Sequence, residues 1–293
     1  MRLRSLLPVL PIFLLFACQS VGTGVVDGQS TEPRDAPAQF KLGMKYANGQ
    51  GVVQNDEEAV RWFRKSAEQN FANAQYNLAL RYLSGQGVGP SDSEAFKWFR
   101  KAADQGIAQA QHNIGVIYRK GQGVARDYGE AFKWFRKAAD QGLAQAQHNI
   151  GMFYMRGWGV ARNEGEAFKW FQKAADQGNG LAQLRLGAMY AKGRGVGIDA
   201  KKSARWIRKA AKQGIGLAQF LLGAYYAEGQ SVERDYIRSY MWLEIANLRG
   251  LKSATGHQGV IAENVTEANI TKFHKRIDQF RDELEKGIDL LQK

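Results

Sequence analysis

Two histidines, His112 and His148, stand 36 residues apart in equivalent surroundings, and such a pair could share a metal ion. The same position elsewhere in the chain holds Phe40, Tyr76, Leu184 and Phe220, so the pattern is that of a packing position that tolerates imidazole. No metal or other cofactor is therefore expected. The single cysteine, Cys18, excludes a disulfide framework. No His-Glu-x-x-His, Gly-x-Ser-x-Gly or Gly-Lys-Ser/Thr sequence occurs, and recurrent Gly-x-Gly elements such as Gly49 and Gly51 never follow a strand pattern. No catalytic residues are assigned, and an enzyme is not expected.

The chemistry of Cys18 depends on what precedes it. Arg2 and Arg4 are followed by an apolar run from Leu6 to Ala17, the order of an export signal and too short to span a bilayer as a mature anchor. Leu15-Phe16-Ala17-Cys18 resembles the bacterial lipoprotein box, although Phe16 stands where a smaller residue is usual. The resemblance implies removal of residues 1–17, lipidation of Cys18 and a membrane anchor of several acyl chains. Gln19, in place of Asp, implies sorting to the outer membrane, facing the periplasm. Residues 18–36, rich in Gly, Ser, Thr and Pro, read as a flexible tether. An ordinary thiol is the alternative for Cys18.

The remaining residues reveal the elements. Tryptophan recurs at positions 62, 98, 134, 170, 206 and 242, and tyrosine at 46, 82, 118, 154, 190 and 226. Glycine at 49, 85, 121, 157, 193 and 229 keeps the same phase. A shift of 36 residues relates all three columns, so residues 37–250 are six copies of one unit. Each copy predicts a first helix with Ala38, Leu42, Gly43 and Tyr46 on one face, then a glycine turn. A second helix follows, carrying Ala59, Trp62, Phe63 and Ala67 as its buried stripe. Asn55, Ser91, Asp127 and Asn163, each with a glutamate three residues on, predict capping boxes at its start. One helix pair cannot bury its own aromatic residues, so the copies must stack. Residues 251–293 lose the period. Ile270, Phe273, Ile277, Phe280 and Leu284 predict a capping helix there, with self-association through a coiled-coil seam as the alternative.

The pattern Ala-x-x-x-Leu-Gly-x-x-Tyr-x-x-Gly-x-Gly-Val, then Ala-x-x-Trp-x-x-Lys-Ala-Ala-x-Gln-Gly, resembles the Sel-1-like repeat family, a relative of the tetratricopeptide repeat. The resemblance implies an all-α fold: a right-handed α-solenoid superhelix whose concave face serves as a scaffold for protein contact. Some cysteine-rich members are linked to β-lactam hydrolysis. Those have a disulfide in each repeat, which this chain lacks, and Ser-x-x-Lys is also missing.

Columns that vary between copies are the candidates for recognition. On the first helix, the positions equivalent to 73, 77, 81 and 84 share a face and vary most. This predicts a groove for a protein or peptide partner at Arg81, Asn113, Ile117, Asn149, Phe153, Arg185, Met189 and Tyr225. The alternative is that these side chains pack against the neighbouring helix pair. The second helices carry a basic stripe that includes Arg64, Arg100, Arg136 and Arg208. The formal charge of +13 and pI near 9.7 give that stripe a second reading, attraction to an anionic envelope polymer or lipid. Nucleic acid is not expected for an exported chain.

Overall fold

The computed structural model describes residues 32–229 and 231–251. Among the described residues, twelve helices of 13 residues follow one another: α1 (Ala36–Asn48), α2 (Asp56–Glu68), α3 (Ala72–Ser84), α4 (Asp92–Asp104), α5 (Ala108–Lys120) and α6 (Tyr128–Asp140), then α7 (Ala144–Arg156), α8 (Glu164–Asp176), α9 (Gly180–Lys192), α10 (Ala200–Lys212), α11 (Gly216–Glu228) and α12 (Tyr236–Leu248). There is no strand among the described residues. Each odd-numbered helix packs on the even-numbered helix of its own repeat and on that of the repeat before it. The product is an α-solenoid of two layers, first helices in one and second helices in the other.

The second helices are held by their apolar stripe. In α6, Ala131, Trp134, Phe135, Ala138 and Ala139 are buried at spacings of three and four, the period of one helix face. Phe63, Phe99, Phe135 and Phe171 are fully buried, each at the centre of its repeat. A neighbouring helix reaches them because its facing residue is small. A Cβ placed on Gly151 would sit 2.7 Å from the Phe171 ring. The recurrent tryptophans are buried too, from 2% exposed at Trp62 to 9% at Trp206, with Trp98 half-buried.

The predicted capping boxes form by half. Asn55 Oδ1 accepts from the Glu58 N–H at 3.1 Å, and Asp127 Oδ1 from the Glu130 N–H at 2.9 Å. The reciprocal bond from the glutamate is replaced. The cap's own N–H already donates to the preceding tyrosine carbonyl, Asn55 to Tyr46 at 3.0 Å and Asp127 to Tyr118 at 3.0 Å. The freed carboxylates pair with a cation three residues on, as Glu130 does with Lys133 at 2.7 Å.

The turn between first and second helices crosses the previous repeat. Gly195 has φ +66°, and a Cβ there would lie 2.2 Å from the carbonyl oxygen of Glu164. Only glycine satisfies both the left-handed backbone and the contact.

A buried glutamine column runs through the first helices. Gln75, Gln111, Gln147, Gln183 and Gln219 each donate to a second-helix carbonyl of the repeat before, as Gln111 does to Ala103 at 3.1 Å. In the first five repeats the column accepts from the glutamine that ends the repeat's own second helix, Gln141 to Gln111 at 2.8 Å for example. In the sixth repeat that terminal residue is Arg249, and the side-chain oxygen of Gln219 has no donor among the described residues.

The end of the expected tether, residues 32–36, lies against the first repeat. Glu32 pairs with Lys65 at 2.7 Å, and the carbonyls of Pro33 and Arg34 accept from Gln39 and Gln69. Helix α1 begins at Ala36, capped by Asp35. The export signal 1–17, Cys18 and the capping helix expected around Ile270 to Leu284 lie outside the described residues.

Candidate binding surface

The first helices differ from the second in charge. From α1 to α9 no first helix contains an acidic residue, yet together they carry Lys41, Lys45, Arg81, Arg119, Lys120, Arg156, Arg185 and Lys192. The acidic side chains, with the ion pairs they form, belong mainly to the second layer and its caps.

The outward row of the first layer differs at one of its four positions from the row the sequence places there. In α7 it runs Gln145, Asn149, Met152, Arg156, and in α9 Leu181, Arg185, Ala188, Lys192, all half-buried or exposed. At about 100° per residue, position 152 lies within about 20° of position 145, whereas position 153 is turned about 80° away. The groove predicted at Ile117, Phe153 and Met189 is therefore not open. They are 4%, 0% and 1% exposed. Phe153 packs edge-on to Phe135 with ring centroids 5.4 Å apart, so this column faces the second helix of the preceding repeat. The other two members of the column do the same by polar contact. Arg81 reaches Asp56 at 2.6 Å, and the Tyr225 hydroxyl lies 2.9 Å from that of Ser203. Asn113, Asn149 and Arg185 do belong to the outward row and are half-buried. Arg156 falls in the column equivalent to 84 that the sequence names. The residues the sequence argument missed are Met152, for which the helical angle was the signal, and Arg119, which lies beside the row, for which it was the absence of acidic residues from the first helices.

His112 and His148 lie under this row. His112 packs on Phe135 and is 2.9 Å from the amide nitrogen of Asn149, while His148 packs on Phe171. Burial pushes the His112 imidazole down to about 4, against a hydrogen bond to Asn113, with Arg119 adding to the shift. Burial likewise pushes His148 to about 4, helped by Arg185, Arg119 and His112. Both rings are neutral at pH 7 and act as packing. No three His, Cys, Asp or Glu side chains converge on a metal position among the described residues.

The basic stripe on the second layer is exposed but its charges are engaged. Arg100 pairs with Asp104 and lies 4.8 Å from the centroid of Trp134; Arg136 pairs with Asp140 and lies 4.9 Å from Trp170. Arg64 donates to the Tyr82 hydroxyl at 2.7 Å and Arg208 to that of Tyr226 at 3.2 Å. Lys137 and Lys173 cover the other approach to Trp134 and Trp170 at 4.0 and 4.2 Å. These cations roof the tryptophans and tie each repeat to the next.

The Sel1 repeat family model matches six consecutive segments: residues 36–71, 72–107, 108–143, 144–179, 180–215 and 216–251. The chain belongs to the Sel1 repeat family. A solved Sel1 repeat protein from Oxalobacter formigenes is 39% identical over 73% of this chain and 85% of its own, with a TM-score of 0.68. A protective antigen of uropathogenic Escherichia coli with the same repeat fold is 24% identical over 88% and 86% of the two chains, with a TM-score of 0.44. No curated protein matches the chain significantly. Sel1 repeat proteins are in general scaffolds for protein contact, and typically not enzymes. In this Sel1 array the columns that recur form the spine, and the outward row of the first layer is where one repeat differs from the next.

Proposed function

We propose that the chain is a non-enzymatic adaptor that holds a protein partner along the first layer of its Sel1 array, tethered to the bacterial outer membrane through lipidated Cys18. The observation that carries the reading is the outward row of α5, α7 and α9. Its amides and cations change from repeat to repeat; Asn113 bonds to Tyr76 and His112 and Asn149 to His112, whereas Arg156 and Arg185 have no hydrogen-bond or ion-pair partner among the described residues. Side chains that a fold does not use for its own packing, set in a half-buried row, are those a partner would select. The reading of the second layer as a site for an anionic polymer or lipid is weaker, because Arg64, Arg100, Arg136 and Arg208 are occupied by their neighbours.

The test is photo-crosslinking in cells, with the reactive side chain placed at Met152 and, as a control, at Lys133 on the second layer. A discrete protein adduct from Met152 alone supports the adaptor. Adducts from neither position, or equally from both, reject it. For the tether, Cys18→Ala should move the protein from the membrane to the soluble fraction, and unchanged membrane association would reject lipidation.

A further inference from the structure

The cations of the first layer are not evenly spread. Arg119 of α5 and Arg185 of α9 both act electrostatically on His148, whose helix α7 lies between theirs in chain order. Arg156, at the exposed end of α7, acts in turn on Arg185. Three arginines thus stand on the first helices of three successive repeats in the middle of the array. None of the three forms an ion pair among the described residues, in contrast to Arg81 of the same layer, which is held by Asp56. Arg119 and Arg185 are half-buried, and the Nε of Arg119 is fully enclosed without an acceptor. Enclosing a charged donor and leaving it unmatched is costly, and like charges brought together add to that cost. An anionic group from outside, meeting the exposed Arg156 and the half-buried Arg185, relieves the like-charge part of that cost.

The surroundings specify what kind of acceptor. Asn113 and Asn149 flank the cluster, and side-chain amides can donate to and accept from a peptide backbone. Toward the C-terminal end the row becomes apolar, with Leu181 53% and Leu217 48% exposed. A guanidinium matches a carboxylate in a planar, two-point contact. Cations, amides and exposed leucines in sequence along one row suit an extended chain with acidic and apolar side chains better than they suit a lipid headgroup or a free phosphate.

We propose that this part of the first layer takes up an acidic peptide segment of the partner protein, with carboxylates on Arg119, Arg156 and Arg185 and backbone amides on Asn113 and Asn149. The proposal rests on the adaptor reading and names the chemistry of its partner.

The test is fluorescence anisotropy on the purified protein with a short labelled peptide of alternating glutamate and leucine, compared with its glutamine counterpart. The glutamate peptide should bind about tenfold more tightly or better, and the difference should shrink as salt is raised. Arg156→Glu should remove most of that preference, and Arg185→Leu should weaken it. Arg100→Glu with Arg136→Glu, on the other layer, should leave it unchanged. Arg156 is exposed, so its variant keeps the fold, which circular dichroism verifies.

Equal binding of the two peptides would overturn the proposal, as would equal loss from the second-layer variant. Displacement of the glutamate peptide by anionic phospholipid vesicles or by inorganic phosphate at equal charge would also overturn it, in favour of a phosphate site. If the peptides fail but crosslinking from Met152 still captures a discrete protein, only this inference falls. Failure of both removes the adaptor as well.

Discussion

The side-chain amide of Gln105 donates to that of Gln75 across 2.7 Å, and Gln75 in turn donates to the carbonyl of Ala67 in the repeat before. A polar chain therefore runs through the spine, and each link satisfies a helix end that packing would otherwise strand. Gln147→Leu, which leaves the Ala139 carbonyl and the Gln177 amide without that partner, should cost about 1–3 kcal/mol in urea denaturation. Gln145→Leu, two residues away and exposed, should be neutral. In the sixth repeat Arg249→Gln should supply the donor that Gln219 lacks and gain about 0.5–1.5 kcal/mol.

Phe153 is a core residue, and its substitution reports on stability first. Phe153→Ala removes a ring packed on Phe135 and Phe132 and should cost about 3–5 kcal/mol. Met152 is half-buried and touches the core of the neighbouring repeats, so Met152→Ala should cost less than Phe153→Ala and act on partner capture. Thermal unfolding followed by far-ultraviolet circular dichroism separates the two. Equal destabilisation would place Met152 in the spine as well.

Acid should weaken the array before its carboxylates titrate. His112 and His148 have imidazoles held near 4 in the folded chain, against an ordinary value of 6.5. Above 6.5 both states are neutral and the full stability is present. As pH falls from 6.5 toward 4 the unfolded chain takes up protons that the folded chain refuses, and stability is lost by up to about 1–3 kcal/mol for each ring. His112→Tyr with His148→Leu, the residues that Tyr76 and Leu184 supply in the flanking repeats, should flatten stability between pH 6.5 and 4.5. A double variant that keeps the full slope would assign it elsewhere.

Two glycines of one turn should behave differently. Gly195→Ala forces a Cβ toward the Glu164 carbonyl from a left-handed backbone and should destabilise by about 1–3 kcal/mol. Gly197, two residues on, has nothing within 4 Å of an added Cβ, so Gly197→Ala should be neutral. Chemical denaturation of the pair is the measurement.

The architecture was legible because every copy repeats its packing residues in phase: Trp134 and Phe135 are buried where Trp62 and Phe63 are. The binding surface was less so. Variation between copies marked both Asn149 and Phe153, but variation alone does not separate a side chain that faces solvent from one fitted to a changing neighbour. Phe153 varies along its column because each preceding second helix presents it with different partners. The decisive quantity was an angle: position 153 is turned about 80° from position 145, whereas position 152 lies within about 20° of it. The capping glutamates failed on a different count. Glu130 has the right spacing for a reciprocal cap, but the bond it would make is taken by the Tyr118 carbonyl, a tertiary contact that local sequence does not reveal.

The absence of acidic residues from the first helices, α1 to α9, has one further consequence. Nearly all the attraction between opposite charges that steadies this molecule is spent on one side of it, while the other side is left with a surplus of one sign. Mutations that retune what the protein attracts can therefore accumulate without loosening its frame, and the two properties are free to evolve at different rates.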